Sequence, residues 1–237
     1  MESRGKQPLA NQAYDYLKAQ MLNGELPAGA LVDIDAVLAA IGSSSFPVME
    51  ALKRLEIEKF VEITPQVGCR VSTPSLSDVT DFLGLFAVIE GYFARLAAQR
   101  ALPEEIDELQ SINDRMRKAF NRASSASGRD EAYRLGNRKF HLMLHTIARA
   151  TNLNELAFSL WDRGEFLISA GVGTVRFGER VEAALEEHDE IIEALTQRDG
   201  ATAGRLAEAH LLAFVAEIEA HASKTARATQ AEPSDRA

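Results

Sequence analysis

Five histidines, at positions 141, 145, 188, 210 and 221, punctuate the chain, and three of them fall where an imidazole has to be accounted for. His141 shares an apolar face with Phe140, Leu144 and Ala148. His188 lies in the stripe Val181, Leu185, Ile192, Leu195, and His210 lies with Ala207, Phe214 and Ile218. A single histidine on such a face is ordinarily a satisfied core residue. Three on separate helices each need a partner once buried, and a shared metal ion would serve all three. Imidazoles favour zinc, nickel or copper over magnesium or calcium, so a divalent transition metal, zinc or nickel first, is the expected cofactor. His145, one turn beyond His141, reads as a substitute ligand or, more simply, as a solvated or supporting residue. With Leu142 in place of a glutamate, the His-x-x-x-His pair lacks the general base of a zinc protease. No nucleophile–base pair or carboxylate dyad accompanies the histidines, so the chain is not expected to be an enzyme. A metal-dependent hydrolase built on His141, His188 and His210 is the alternative. Gly171-Val172-Gly173 with Gly178 follows a helix rather than a strand, which reads as a flexible connection and not a nucleotide loop.

The elements that must position these side chains are legible in the spacing of apolar residues. Ala10, Tyr14, Leu17 and Met21 mark a first helix that Asn23-Gly24 stops, and Ile34 to Ile41 reads as a second, ended by Gly42. Ser43-Ser44-Ser45 offers an N-cap to a third helix whose core stripe is Val48, Ala51, Leu52 and Leu55. Two β-like segments, Phe60–Thr64 and Cys69–Ser72, flank a Pro65–Gly68 turn. Helices are then expected over Leu76–Ala101, Pro103–Ala123, Asp130–Ala150, Leu153–Ser169, Gly178–Gln197 and Ala201–Ala222. The fold class is therefore mainly α. Residues 1–75 form a winged helix-turn-helix of three helices and a small β-hairpin, and residues 76–223 form an all-α bundle of six to seven helices. The polar segment 224–237 is expected to be disordered. Cys69 is the only cysteine, no apolar run approaches the length of a membrane span, and no signal peptide is visible, so a cytoplasmic protein with no membrane partner is expected.

Two stretches carry a resemblance. Gly24-Glu25-Leu26-Pro27-Ala28-Gly29, followed by Ser44 to Leu55 and the Gly68 hairpin, is similar to the winged helix of GntR transcriptional regulators. The downstream landmarks Glu90, Leu96-Ala97-Ala98, Phe140-His141, Thr151-Asn152-Leu153, Glu187-His188 and His210-Leu211 resemble the FCD-type ligand-binding domain of their FadR branch. The resemblance spans about Ala10 to His221. It implies a homodimeric repressor or activator whose grip on a palindromic double-stranded operator is set by a small-molecule effector, often with a metal in the bundle. By the family pattern the metal ligands would be Asn137, His141, His188 and His210, with Asn137 standing where an aspartate is usual. A neutral amide oxygen there weakens metal binding and raises the charge of the site by one.

Further departures fall on the DNA-reading residues. Typical relatives carry arginines at the positions of Ser45 and Met49, and neither residue here can make a bidentate contact to guanine. Residues 1–75 hold seven lysines and arginines against nine aspartates and glutamates, a net charge of −2 within a chain of net charge −9. Three readings stay open: a divergent operator read through Ser44, Ser45, Phe46, Met49 and Lys53, with Phe46 or Met49 on thymine methyls; weak DNA binding helped by a partner; or a DNA-independent ligand-binding or heterodimerising relative. Packing of Phe46 and Met49 against the first helix or a dimer partner is the alternative for those two. Phosphate contacts are expected from Lys53, Arg54 and Arg70. Phe86 takes the place of a family arginine suited to a carboxylate effector; it reads first as plain core packing, and if a pocket exists it permits a bulkier apolar or aromatic effector. Arg95, Arg134 and Arg138 are further candidate anion contacts, each more simply a solvated helix charge, and Trp161 is expected to fill the core.

Overall fold

The computed structural model describes residues 7–172 and 180–231, with side chains to 223. Nine helices and one hairpin are formed among them: α1 Leu9–Leu22, α2 Ile34–Ile41, α3 Ser45–Ile57, β1 Val61–Thr64, β2 Gly68–Val71, α4 Leu76–Arg100, α5 Pro103–Arg122, α6 Ala126–Ala148, α7 Thr151–Gly171, α8 Val181–Thr196 and α9 Gly200–Ala231. The mainly helical class, the winged helix and the bundle are as the periodicities require. The helix α9 continues to Ala231, into the stretch read as a disordered tail, and the rest of that stretch lies outside the described residues. The same holds for most of the glycine-containing connection, from residue 173 to 179.

Two compact units divide the chain. The first comprises Met1–Ser75 together with Asp162–Gly173, and the second comprises the remainder, so the C-terminal half of α7 groups with the winged helix rather than with the bundle. Within the first unit, Ala13, Leu17, Val48, Ala51, Leu52, Leu55 and Phe60 are fully buried, and Phe166 of α7 lies with its ring centroid 4.7 Å from that of Phe60. Lys18 of α1 is buried beside it, 2.9 Å from Asp162 and 3.3 Å from Glu58, and donates to the Tyr14 hydroxyl at 2.8 Å. A buried ammonium is tolerated only with such partners. Local signals end the small helices. Asp33 accepts the Ala36 N–H at 3.0 Å to start α2, and Gly42, at φ +64°, closes it in a left-handed turn. Ser44 occupies the N-cap of α3 but makes no capping hydrogen bond with its side chain. In the hairpin, Val61 faces Val71 and Ile63 faces Cys69.

Helices α4 and α9 cross in the second unit at Gly91 and Gly204. A β-carbon at Gly91 would stand 2.8 Å from the Gly204 carbonyl oxygen, and one at Gly204 would stand 2.9 Å from that of Gly91. The obstacle is backbone on both sides, so no rotamer change relieves it. Gly91→Ala is expected to cost about 1–3 kcal/mol of stability, the usual range for overpacking. Gly84→Ala on the same helix meets nothing within 4 Å and should instead stabilise by about 0.4–1 kcal/mol. Urea unfolding of the two variants checks both signs.

Candidate metal centre

Each of the three histidines reaches one place from a different helix of the second unit. His141 (α6), His188 (α8) and His210 (α9) are buried, and their candidate ligand atoms lie within 4.8 Å of one another. Ring centroids are 5.6 Å apart for His141 and His188, 5.4 Å for His141 and His210, and 4.7 Å for His188 and His210. The Phe140 ring stacks on His188 at 3.9 Å and fixes its plane.

What surrounds the trio sets its protonation. His141 donates from Nδ1 to Glu90 Oε2 at 2.7 Å, and His210 donates from Nδ1 to Glu187 Oε2 at 2.7 Å. His188 Nδ1 faces Asn113 Oδ1 at 3.1 Å. The Asn113 amide nitrogen already donates to the Leu185 carbonyl at 3.0 Å and to Asp189 at 2.7 Å, which leaves its oxygen to accept. These hydrogen bonds hold each ring, when neutral, as the Nδ1–H tautomer with its lone pair on Nε2. The Nε2 atoms of His141 and His188 have no hydrogen-bond partner, and neither does the buried Oδ1 of Asn137, one turn before His141 on α6. Lone pairs cannot satisfy one another. The arrangement is complementary to a cation, with carboxylates behind the imidazoles as metal-bound histidines require.

The electrostatics agree with the geometry. Burial works to raise the Glu90 carboxyl, but the hydrogen bonds and charges of His141 and then His145 overcome it and bring the pKa down to about 2. Burial, reinforced by the neighbouring His210 and His141, pushes His188 well below the usual histidine value. Burial also lowers His210, against the opposing pull of Glu187. The lowered pKa values of His188 and His210, beside the ionised carboxylates of Glu90 and Glu187, suit metal binding, which takes neutral imidazole.

His145 is not solvated: it is buried, bonded through Nε2 to Glu90 Oε1 at 2.6 Å, with its ring 4.2 Å from that of Phe93. It supports the carboxylate that supports His141. Trp161 is buried against Phe86, Leu211 and Leu160, and fills the core as expected. It also borders the trio, its ring 4.8 Å from His141 and 5.5 Å from Phe86, with its indole N–H unpartnered. Phe86 thus sits behind Trp161 in an apolar wall, and Arg134 is half-buried on α6, two turns before His141. Arg95 does not join them. It is exposed and lies along α9, where its side chain comes within 3.3 Å of the position a β-carbon on Gly200 would take.

Glu90, Asn113 and Glu187 carry the centre from behind, and residue types alone do not single them out for that role. The signal is one acidic and one amide side chain set in the apolar faces Phe86–Phe93 of α4 and Leu109–Met116 of α5.

In the first unit, Ser44, Ser45, Phe46 and Lys53 are exposed on α3, whereas Met49 is half-buried against the winged-helix core. Arg54 is turned toward α1, donating to Asn11 Oδ1 at 2.8 Å with its guanidinium 4.1 Å over the Tyr14 ring. Arg70 on β2 donates to the Gly29 carbonyl.

Residues 81–213 match the FCD domain and residues 9–71 match the bacterial regulatory proteins of the gntR family. The chain is 23% identical over 207 residues to a "Probable D-xylose utilization operon transcriptional repressor" of Paenarthrobacter nicotinovorans, covering 87% of each. It is 28% identical over 210 residues to the HTH-type transcriptional repressor RspR of Escherichia coli K12, covering 86% of each. Its fold is similar to that of E. coli McbR/YncC, with a TM-score of 0.67 at 21% identity, over 90% of this chain and 98% of the other.

Proposed function

The chain belongs to the GntR family of bacterial regulators, with an FCD domain behind its winged helix, and from that premise we propose that it is a metal-containing, ligand-responsive repressor or activator working on DNA as a homodimer. It is a transcriptional regulator and not an enzyme, which sets the hydrolase alternative aside. His141, His188 and His210 would hold a zinc or nickel ion through Nε2, with Asn137 Oδ1 as a fourth, neutral ligand. The ion would supply a fixed positive charge in the bundle and an open position for an oxygen of the effector. The reading rests on one observation: three buried imidazoles bring candidate ligand atoms within 4.8 Å of one another, and the Nε2 atoms of His141 and His188 there have no hydrogen-bond partner.

Phe86 and Trp161 give the effector an apolar wall, and Arg134 is the remaining cationic candidate for its polar end. A filled pocket would favour one arrangement of the two heads over another, and so one spacing of half-sites. The dimer reading is supported by α4, where Leu85, Val88 and Tyr92 are exposed at spacings of three and four. That is an apolar seam of the kind a second copy covers. Among the described residues no single helix is long and apolar enough to cross a membrane, and the site of action proposed is the cytoplasm.

Selection of bound sequences from a random duplex pool with zinc-loaded protein tests the DNA reading. Enrichment of one palindrome is the expected result. If the protein enriches nothing at low salt while a Ser45→Arg/Met49→Arg variant does, the native head is not a DNA reader and the proposal fails.

A further inference from the structure

The outward face of α3 is unusual for a helix that enters DNA. Val48, Ala51, Leu52 and Leu55 are fully buried and fix the helix in the head, which leaves Phe46, Glu50, Lys53 and Ile57 as its exposed ridge, at spacings of four, three and four. In a helix-turn-helix the N-terminal residues of this helix meet the base edges. The side chain standing there is Phe46, at the second helical position and 77% exposed. Ser44 and Ser45 beside it are short, and no cation occupies the first turn. Met49, the other apolar candidate, is committed to the core, and Arg54 is committed to Asn11 and Tyr14. The turn of the wing also exposes one apolar side chain, Val67, next to Gln66.

A phenyl ring has no hydrogen bond to give a base. In the major groove the one apolar group a base pair presents is the C5-methyl of thymine. We propose that Phe46 is a specificity-determining residue that reads a thymine methyl, so that each half-site of the operator carries a thymine opposite the first turn of α3. The proposal rests on the reading of the head as a DNA binder. It assigns sequence preference to apolar contact where relatives would use arginine, and it makes the exposed ring on a folded head functional.

Replacement of thymine by deoxyuridine isolates the contact, because it removes the methyl and leaves every hydrogen-bonding group and the backbone in place. The palindrome selected by zinc-loaded wild-type protein is synthesised with deoxyuridine at each thymine in turn, and affinity is measured at one fixed salt concentration. One thymine per half-site is expected to show a loss of about fourfold, the factor for one methyl-sized group withdrawn from water. Phe46→Ala should bind the thymine operator more weakly and be indifferent to deoxyuridine at that step, while Phe46→Leu should keep part of the discrimination. As the ring is exposed, both variants should unfold at the wild-type temperature, so weaker binding is not misfolding. A palindrome without any deoxyuridine-sensitive step overturns the role of Phe46 and leaves the DNA reading standing. That role is equally overturned if the sensitivity survives in Phe46→Ala, or if that variant changes only the oligomeric state. No palindrome at all overturns both.

Discussion

His188→Ala is expected to strip the bundle of its ion: elemental analysis should find about one divalent metal per wild-type chain and close to none in the variant. The three imidazoles would be the donor set, and removal of one would leave two imidazoles and an amide oxygen, too few strong ligands for a buried zinc or nickel site. The effect extends to stability. A ligand present at about a thousand times its Kd adds roughly 4 kcal/mol to the free energy of unfolding, and that increment should all but vanish in His188→Ala. The comparison to make is the zinc-dependent increment within each protein, since the substitution also deletes a buried ring packed on Phe140 and shifts the baseline. Equal metal content in the two proteins would sink the centre altogether. Asn137→Asp should move affinity the other way by restoring a charge to the ligand oxygen; an unchanged titration would place residue 137 outside the ligands.

Glu90 carries the second large effect, through two substitutions that separate its two roles. Glu90→Ala removes a fully buried acceptor from the Nδ1–H of His141 and the Nε2–H of His145 at once, which should cost about 3–5 kcal/mol in urea unfolding of the metal-free protein. Glu90→Gln keeps the shape but brings one acceptor and one donor to a place where two donors meet. One imidazole has to change tautomer. If His141 changes, its proton moves to Nε2 and the lone pair that would bind metal is gone, so zinc affinity should fall about 10- to 100-fold with little change in fold. A glutamine variant with wild-type zinc affinity would show that Glu90 does not set the tautomer of His141.

Much of this is legible in residue spacing, and the limits have physical causes. His141, His188 and His210 declare themselves because a polar ring interrupts an otherwise regular apolar stripe on each of three helices, and those helices lie within a few residues of where the periodicity puts them except at the C-terminal end of α9. Glu90 and Asn113 do not, because a single acidic or amide side chain on a helix face acquires its meaning only from what packs opposite. Arg95 illustrates the converse. Its charge alone makes it either an anion contact or a solvated helix charge, and the glycines of α9 let it lie along that helix in solvent. Charge and position on α3 assign Arg54 to phosphates, whereas the nearness of Tyr14, forty residues away in sequence, gives it a different task. The C-terminal half of α7 joins the winged head because Phe166 and Asp162 find Phe60 and Lys18 there, a preference no helical period records.

Trp161 has one more consequence. It is the only tryptophan in the chain, so emission excited at long ultraviolet wavelengths comes from a single indole, and that indole lies 4.8 Å from the His141 ring. The protein therefore carries a built-in optical probe of the proposed metal centre. An open-shell ion such as nickel or copper entering beside the ring should darken it, whereas closed-shell zinc should shift its colour with little loss of light. The unpartnered indole N–H makes that colour responsive to any acceptor that arrives next to it. Occupancy can thus be followed in the unlabelled protein, on the time scale of mixing, before anything is known of the molecule that occupies it.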